Sequence, residues 1–345
     1  MPDQESSSSR SAHSLPAANS AKKTAFALLA LLGISLICLV AAEIVARAYV
    51  SVVAQRGKLF RHDETLGWTV LAGLDFARRN ASGGIWQVRT NPGGGRSPLE
   101  FEDPAKRRIL LIGDSFVFGE GVDVEDRFDM RPAMQQDGWS SVNLGVMGYG
   151  TDQQMITARA HTDALTEGDA LVLVTNGGDF IDNLRQSHSG RAKPWFELHG
   201  DELIEHEPDV GLREILRDKL YLWARFMTLL EANKPAYEEE RLQHSGELYR
   251  AIVTAETRDL RARGVEIVIA HHATEPKRFP QLHVIMQRTL RHICAPEGYT
   301  CVGLDRDLNH GTAPQRSYLA DGHWSTVGHD RVAATLGPAL HEILD

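Results

Sequence analysis

The chain has 345 residues, with 37 basic and 46 acidic side chains and a formal net charge of −9. This length is sufficient for a large buried core, and the acidic excess argues against a nucleic-acid partner, which would require a basic face. The three cysteines are too few for a disulfide scaffold, and their spacing matches no pattern of a structural zinc site.

An uncharged apolar segment, residues 24–42, lies near the N-terminus. A helix that crosses a bilayer needs roughly 20 apolar residues, so this segment predicts a single transmembrane anchor. The alternative is a cleaved signal peptide, for which Ala41-Ala42 would supply the small residues of the cleavage site. The length of the segment favours the anchor.

Residues 1–23 are polar and rich in serine, and we expect them to form a disordered cytoplasmic tail. Basic residues flank the apolar segment on both sides: Lys22 and Lys23 precede it, and Arg47 and Arg56 follow it. The distribution of positive charge therefore leaves the orientation of the anchor undecided.

The remaining chain predicts an α/β protein. Residues 43–102 contain clustered turn signals and are expected to form a membrane-proximal linker with a small β-rich segment. From residue 103 to residue 345, apolar strands alternate with helical stretches, one of them near residues 126–136. Such alternation is typical of a three-layer α/β/α sandwich with a central parallel sheet. Residues 185–264 interrupt it and are predicted to be an insertion of a hairpin followed by helices.

Two cysteines, Cys294 and Cys301, bracket a six-residue loop. They could close a small disulfide if the domain faces an oxidising compartment. Two unpaired thiols are an equally good interpretation of the sequence alone.

The segment LLIGDSFVFGEGV places Ser115 where an apolar strand ends and a helix is expected to begin. Ligands of open α/β sheets gather at the carboxyl ends of the strands, and a serine at this turn is a candidate nucleophile. The competing interpretation is a helix N-cap, in which the serine hydroxyl accepts from the first turn.

A serine nucleophile needs a base to take its proton and a carboxylate to orient that base. The C-terminal segment YLADGHWSTVGH supplies both types of residue, because Asp321 and His323 directly precede the last predicted helix. We expect Asp321 to contact Nδ1 of His323 while Nε2 faces Ser115. Ser325 or Thr326 is expected to cap the helix that follows.

Together these motifs resemble the SGNH, or GDSL, hydrolases, and within them a membrane-anchored bacterial branch. The resemblance covers most of the chain from Thr24 and includes GDSFVFGEGV, NLGVMGYGTDQQ, DFIDN and DGHWSTVGH. It implies Ser115 as nucleophile and first oxyanion donor, Gly148 as second donor, His323 as base and Asp321 as its orienting acid. The D-x-H spacing is a variant of the more frequent D-x-x-H.

One family block departs from the usual pattern. Where the family usually has G-N-D, whose asparagine is the last oxyanion donor, this chain has Asn176-Gly177-Gly178-Asp179, with Gly178 at the asparagine position. Losing one donor costs roughly two to three powers of ten in rate. Either Asn176 takes its place, or a backbone N–H does, or catalysis is weakened or lost. We favour Asn176.

No metal or cofactor is predicted. His271 and His272 follow a strand, but adjacent residues of a strand point to opposite faces, so at most one of them faces the site. His329 is expected to pack or cap rather than to act as a second base. Asp114 and Asp179 are expected to hold loops through backbone N–H groups.

The sequence thus predicts a serine esterase that hydrolyses acyl esters, O-acetyl esters above all, of carbohydrate, lipid or cell-envelope substrates. The resemblance and the anchor place it in a bacterial inner membrane with its catalytic domain in the periplasm. One alternative is an O-acyltransferase that modifies an exported polysaccharide. Another is a non-catalytic carbohydrate-binding or assembly protein, which Gly178 would suit and the retained Ser115, Asp321 and His323 oppose.

Overall fold

The computed structural model describes residues 17–50, 59–96, 101, 103, 105–232, 239–273, 280–309 and 314–344. The chain divides into two compact units, Met1–Tyr49 and Val50–Asp345. The expected disorder of residues 1–16 lies outside the described residues, whereas residues 17–23, which were expected to belong to the same disordered tail, are helical.

The first unit contains helix α1, Ala17–Ala48. Its stretch Lys22–Ala48 is long and apolar enough to cross a bilayer, and no other helix in the described parts of the chain is. Large apolar side chains along it, such as Leu31 and Ile37, are exposed.

The second unit contains a central sheet, small hairpins and the remaining helices. Its strands are β1 Phe60–Asp63, β2 Gly67–Val70, β3 Asp75–Arg79, β4 Ile85–Arg89, β5 Arg107–Ile112, β6 Trp139–Asn143, β7 Ala170–Asn176, β8 Ser187–His188, β9 Arg191–Ala192, β10 Trp195–His199, β11 Glu202–His206, β12 Glu266–His272 and β13 Thr300–Gly303. Its helices are α2 Ser115–Phe118, α3 Thr151–Thr162, α4 Gly177–Asp182, α5 Leu212–Lys219, α6 Tyr221–Ala232, α7 Glu239–Ala262, α8 Pro280–Glu297, α9 Asp305–Leu308 and α10 Thr326–Leu344.

The central sheet is parallel, with strand order β13-β12-β7-β5-β6. Alternate residues of β5 point to opposite faces: Leu110 and Ile112 are buried under α3, α7 and α8, whereas Ile109 and Leu111 are buried under α10. The predicted three-layer α/β/α sandwich is therefore confirmed. All five strands run in the same direction, so their carboxyl ends meet at one edge.

Residues 59–96 form two hairpins, β1–β2 and β3–β4, within the second compact unit. Val70, Trp86 and Val88 make a small core with Phe118 and Met147, which follow β5 and β6 of the central sheet. The two hairpins thus pack directly on loops at the carboxyl edge of the sheet.

The prediction of a helix near residues 126–136 is wrong. Two short 3₁₀ turns, Val124–Asp126 and Phe128–Met130, stand in its place. Pro132 disfavours helical backbone at the preceding residue, and Arg131 is extended, with φ −79° and ψ 151°.

The insertion contains the expected hairpin, β10–β11, with Gly200 at its turn at φ +61°. The helices expected after it are present, and the first two of them, α5 and α6, are separated at Leu220. Within α6, Met227 is buried, whereas Phe226 and Leu230 are about half exposed.

Candidate active site

Ser115 lies at the carboxyl end of β5, as its position in the sequence predicts. Asp114, not Ser115, caps helix α2, because the Asp114 carboxylate accepts a hydrogen bond from the Phe116 N–H at 2.9 Å. The cap interpretation of the serine is therefore wrong, and its hydroxyl is available for another partner. Gly113 is required at this turn because a Cβ there would lie 2.3 Å from Cγ2 of Val117.

That partner is His323. Its Nε2 lies 2.8 Å from Oγ of Ser115, although the two residues are 208 positions apart in the sequence. Ser115 is 8% exposed and the His323 side chain 22% exposed, so most of the pair is shielded from solvent. This geometry suits removal of the serine proton by the imidazole.

A tight loop before α10 carries His323. It closes through a β-bridge between Tyr318 and Trp324 and through the Leu319 N–H, which donates to the His323 carbonyl at 2.7 Å. Gly322 supplies the left-handed backbone, at φ +93°, that this turn needs. Ser325 then caps α10, its hydroxyl accepting from the Gly328 N–H at 3.2 Å.

Asp321 stands on the far side of the imidazole. Its Oδ2 lies 3.2 Å from Nδ1 of His323, at ion-pair distance, although the N–H is not aligned closely enough for a hydrogen bond. The Asp321 side chain is 39% exposed. Interaction with the His323 side chain lowers the pKa of Asp321, so the carboxylate is ionised at neutral pH.

Sequence reasoning missed Glu120, a second carboxylate beside the base. Its Oε2 lies 3.6 Å from Nε2 of His323, the nitrogen that faces Ser115. Burial lowers the pKa of His323, but Asp321 and Glu120, with a smaller contribution from Asp114, outweigh it and raise that pKa above its ordinary value. The signal was present in the motif, since Glu120 falls between Gly119 and Gly121 directly after the nucleophile helix.

Gly148, the expected second oxyanion donor, lies in the loop after β6 at φ +78°. A Cβ at this position would be strained, and it would lie 3.1 Å from Cδ2 and Nε2 of His188. The loop is held from behind by Trp68, whose Nε1 donates to the Met147 carbonyl at 3.2 Å.

His188 is a further residue that sequence reasoning missed. It packs its ring edge on Gly148, and its Nδ1 lies 3.1 Å from Oδ1 of Asp182. The pKa of Asp182 is lowered, because His188 and Arg185 outweigh the effect of burial. His188 sits in the short β8–β9 hairpin, outside the motifs that carry the family resemblance.

Asn176 ends β7 and caps α4. Its side-chain oxygen accepts from the Gly178 N–H at 2.7 Å, and its amide nitrogen donates to Oδ2 of Asp114 at 3.0 Å. A Cβ on Gly178 would lie 2.8 Å from Oδ1 of Asn176. The Asn176 amide therefore occupies the space toward which a side chain at position 178 would point.

The two buried aspartates hold these loops as expected. Asp179 accepts hydrogen bonds from the Asn176 N–H, Thr175 and Gln154, and Asp114 accepts from Phe116 and Asn176. Burial raises the pKa of both carboxyl groups, and their proximity to each other raises that of Asp179 further.

Three further histidines, His271, His272 and His329, lie in packed or partly buried surroundings. His272 is fully buried against Phe116 and Trp324, and burial lowers its pKa to about 3. His271 points to the other face of β12 and is partly exposed. His329 is buried, and its Nδ1 accepts from the Phe128 N–H at 3.2 Å. Within the described ranges, no three His, Cys, Asp or Glu residues are grouped to hold a metal ion.

The β3–β4 hairpin contacts both the loop after Ser115 and the loop of His323. Asn80 donates to the Gly121 carbonyl at 3.0 Å, and the Ser82 hydroxyl accepts from the Ala320 N–H at 2.9 Å. These two hydrogen bonds fix the separation of the two loops that carry the nucleophile and the base.

Arg96 lies close by and is 5% exposed. It donates to the carbonyls of Phe118, Gly119 and Val122 at 2.7–3.0 Å. Its guanidinium also lies over the rings of Trp86 and Phe118, 5.0 and 5.1 Å from their centroids. One buried arginine thus connects the N-terminal hairpins of the second unit to the turn that follows Ser115.

A disulfide joins Cys294 of α8 to Cys301 of β13. Of the two interpretations of these cysteines, the bonded pair is the one in the structure. Cys38 of α1 is free and exposed.

The sequence matches no protein-family model and no curated protein. Among solved structures, it is similar to TesA at 15% identity and a TM-score of 0.42, covering 69% of this chain and 100% of that one. It is also similar to a lipolytic protein of the G-D-S-L family from Desulfitobacterium hafniense at 10% identity and a TM-score of 0.43, covering 68% and 99%. An acetyl xylan esterase from Butyrivibrio proteoclasticus matches at 11% identity and a TM-score of 0.36, covering 76% and 66%. At these TM-scores, the similarities carry no part of the argument on function.

Proposed function

We propose that the protein is a serine esterase of the SGNH type, which hydrolyses acyl esters through an acyl-enzyme. The observation that carries the proposal is the 2.8 Å contact between Ser115 Oγ and His323 Nε2, with Asp321 at Nδ1 of the same imidazole. A nucleophile, a base and an orienting acid in this order are what acyl transfer requires. Their location at the carboxyl edge of a parallel sheet supports the same conclusion.

In the first step, Oγ of Ser115 bonds to the ester carbonyl carbon as His323 takes the serine proton. The developing oxyanion is held by the backbone N–H groups of Ser115 and Gly148. The bond to the alcohol oxygen then breaks, and the imidazolium returns the proton to that oxygen. Water repeats the sequence on the acyl-enzyme and releases the acid.

We assign the third oxyanion donor to Asn176, in place of the asparagine that Gly178 replaces. One amide hydrogen of Asn176 is donated to Asp114, the residue before the nucleophile. The amide carries a second hydrogen, which can be donated to the oxyanion. The capping box of α4 fixes the amide in position, which is the preorganisation an oxyanion donor needs.

We further propose that α1 anchors the enzyme in a bacterial inner membrane, with the second unit in the periplasm. The apolar length of α1 supports the anchor, and the Cys294–Cys301 disulfide favours an oxidising compartment for the domain. Acyl esters of carbohydrate or of cell-envelope material, O-acetyl esters in particular, are the substrates within reach of such an enzyme.

The test uses the full chain in detergent with a chromogenic acetate ester, beside Ser115→Ala and a matched control, Ser141→Ala, which changes a serine in the interior of β6. We expect hydrolysis by the wild type and the control, and background rates for Ser115→Ala. Background rates for all three would contradict an esterase and favour a non-catalytic protein.

The same preparations with added oligosaccharide distinguish hydrolysis from transfer. A Ser115-dependent product that forms only when the acceptor is present would replace hydrolysis by O-acyl transfer, in which a sugar hydroxyl takes the place of water in the second step. Free acid at the same rate with and without acceptor supports hydrolysis.

A further inference from the structure

Glu120 lies beside the imidazole of His323 and takes no part in the proton transfers of ester hydrolysis. Its Oε2 is 3.6 Å from Nε2 of His323, and that nitrogen is 2.8 Å from Oγ of Ser115. The carboxylate therefore faces the side of the imidazole on which chemistry takes place, whereas Asp321 faces the other side.

The backbone holds Glu120 in this position. Gly119 takes a left-handed conformation, at φ +75°, and ends helix α2. The chain turns back there, so that the Glu120 N–H donates to the Ser115 carbonyl at 3.0 Å. The glutamate is thus tied to the nucleophile by its own backbone.

The side chain of Glu120 is 23% exposed, and its Oε1 lies 3.9 Å from the guanidinium of Arg78 on β3. Oε1 thus faces the arginine, and Oε2 faces the imidazole. Since Glu120 is neither fully buried nor tightly paired at the imidazole side, it has hydrogen-bond capacity left for a ligand.

The position of Nε2 decides which part of an ester Glu120 meets. The imidazolium must give its proton to the alcohol oxygen, which requires that oxygen to stand about 3 Å from Nε2. A carboxylate 3.6 Å from the same nitrogen then lies within reach of the groups next to the alcohol oxygen of the substrate.

We propose that Glu120 forms a subsite for the alcohol component, in which its carboxylate accepts a hydrogen bond from a hydroxyl next to the ester oxygen. The substrate class is then the monoesters of neutral polyhydroxy alcohols, sugars among them. An anionic group in the same place, such as a carboxylate, is repelled. This inference rests on the proposed esterase activity and adds the choice of alcohol to it.

The charges around the site agree with this class. Asp114, Asp321 and Glu120 all contribute to the field at His323, and the whole chain carries a formal charge of −9. Arg78 faces Glu120 on the side away from the imidazole. A neutral alcohol with hydroxyl donors suits these surroundings better than an acidic one.

The experiment compares three acetate esters of equal acyl part on the full chain in detergent: ethyl acetate, 2-hydroxyethyl acetate and acetoxyacetate. The enzymes are the wild type, Glu120→Gln, Glu120→Asp and the control Glu125→Gln. Glu125 is five residues away, its side chain is 70% exposed, and it pairs with Arg89 at 3.5 Å. Its substitution removes the same charge at a distance from the imidazole.

The readout is the ratio of kcat/KM for 2-hydroxyethyl acetate to that for ethyl acetate. Any effect of Glu120 on His323 itself cancels in this ratio, because both esters use the same base. We expect the ratio to fall about three- to ten-fold in Glu120→Gln, because the amide oxygen still accepts a hydrogen bond but lacks the charge that makes such a bond roughly twice as strong. It should fall by less in Glu120→Asp and stay at the wild-type value in Glu125→Gln. The ratio of kcat/KM for acetoxyacetate to that for ethyl acetate should rise in Glu120→Gln, because the charge that repels the substrate carboxylate is removed.

An equal ratio in wild type and Glu120→Gln overturns the subsite while leaving the esterase intact. A fall of the same size in Glu125→Gln overturns it as well, because a distant charge would then suffice. If the wild type shows no turnover that depends on Ser115, the proposed esterase function is wrong, and the subsite is wrong with it. Thermal unfolding of each variant shows whether the fold is retained.

Discussion

The side-chain amide of Asn176 donates a hydrogen bond to Asp114 at 3.0 Å, and Asp114 is the residue before Ser115. The end of β7 is thereby joined to the turn that carries the nucleophile. The same side chain caps α4 through its oxygen, so Asn176 has a structural role and a proposed catalytic one, which substitution can separate.

Replacing Asn176 by serine keeps a cap and removes the amide, because serine caps a helix about as well as asparagine. If the amide is the third oxyanion donor, kcat falls about 10²- to 10³-fold, while stability falls only by the lost hydrogen bond to Asp114, about 1.5–3 kcal/mol. Asn176→Ala is expected to lose both, with about 1 kcal/mol of stability gone as well. Esterase assays and thermal unfolding on the same samples give the two readouts.

Asn183 provides the matched control. It is also buried, and its side-chain oxygen accepts from the Asp152 N–H of α3 at 3.2 Å. Asn183→Ser should cost stability with little change in kcat. Full activity in Asn176→Ser would remove Asn176 from the oxyanion hole and leave a backbone N–H as the substitute.

The pH dependence of kcat/KM is expected to report His323. The base must be neutral, so activity falls as the pH decreases through its pKa, which the surrounding carboxylates raise above the ordinary value. Asp321→Asn removes one of the groups that raise this pKa, and the acid limb should therefore move to lower pH. The plateau should also fall about 10- to 100-fold, because an opposite charge at this distance stabilises the imidazolium that forms on proton transfer.

The pH profiles of the wild type and Asp321→Asn test this assignment, with Asp330→Asn as a control. Asp330 lies on α10, is 54% exposed and pairs with Arg131 at 2.7 Å. An acid limb that stays in place in Asp321→Asn would mean that the group titrating in kcat/KM is not His323.

Most of the site could be predicted because its residues sit in short local motifs at strand ends. A strand followed by Gly113-Asp114-Ser115 predicts a serine at the sheet edge whatever the distant sequence is. Joining Ser115 to His323 depended on chemistry, since a serine nucleophile needs a base and an orienting carboxylate, and His323 lies in a loop before α10 and not at a strand end.

The missed residues depend on backbone turns and long-range packing. Glu120 reaches His323 because Gly119 turns the chain back on Ser115, and no periodic pattern encodes that direction. His188 reaches Gly148 from a two-residue strand of the insertion. The prediction of a helix near residues 126–136 failed for a local reason, because Pro132 disfavours helical backbone at Arg131.

Arg96 is expected to matter for both stability and activity. It is buried and donates to three carbonyls of the turn after Ser115. Lysine keeps the charge but not the planar fork that serves several acceptors. Arg96→Lys should therefore lower the free energy of unfolding by about 2–4 kcal/mol and reduce kcat, because Gly119 and Glu120 lose their support.

Urea unfolding and esterase assays of Arg96→Lys and Arg89→Lys provide the comparison. Arg89 is on the neighbouring strand β4, and its side chain is 59% exposed with ion pairs at the surface, where such pairs contribute about 0–1 kcal/mol. Equal unfolding free energies for the two variants would show that the Arg96 contacts do not stabilise the turn.

The disulfide links the structure to the proposed location. Cys294 and Cys301 are bonded, and Cys38 is free, so the full chain should expose one reactive thiol after denaturation without reductant and three after reduction. Closing a loop with a sequence separation of seven residues stabilises a protein by about 2–3 kcal/mol in the chain-entropy model. The double variant Cys294→Ala, Cys301→Ala should lose that amount, whereas Cys38→Ala should not. Because cytosolic thiols are kept reduced, three thiols labelled in acid-quenched cells before reduction would place the domain in the cytoplasm and contradict the proposed orientation of α1.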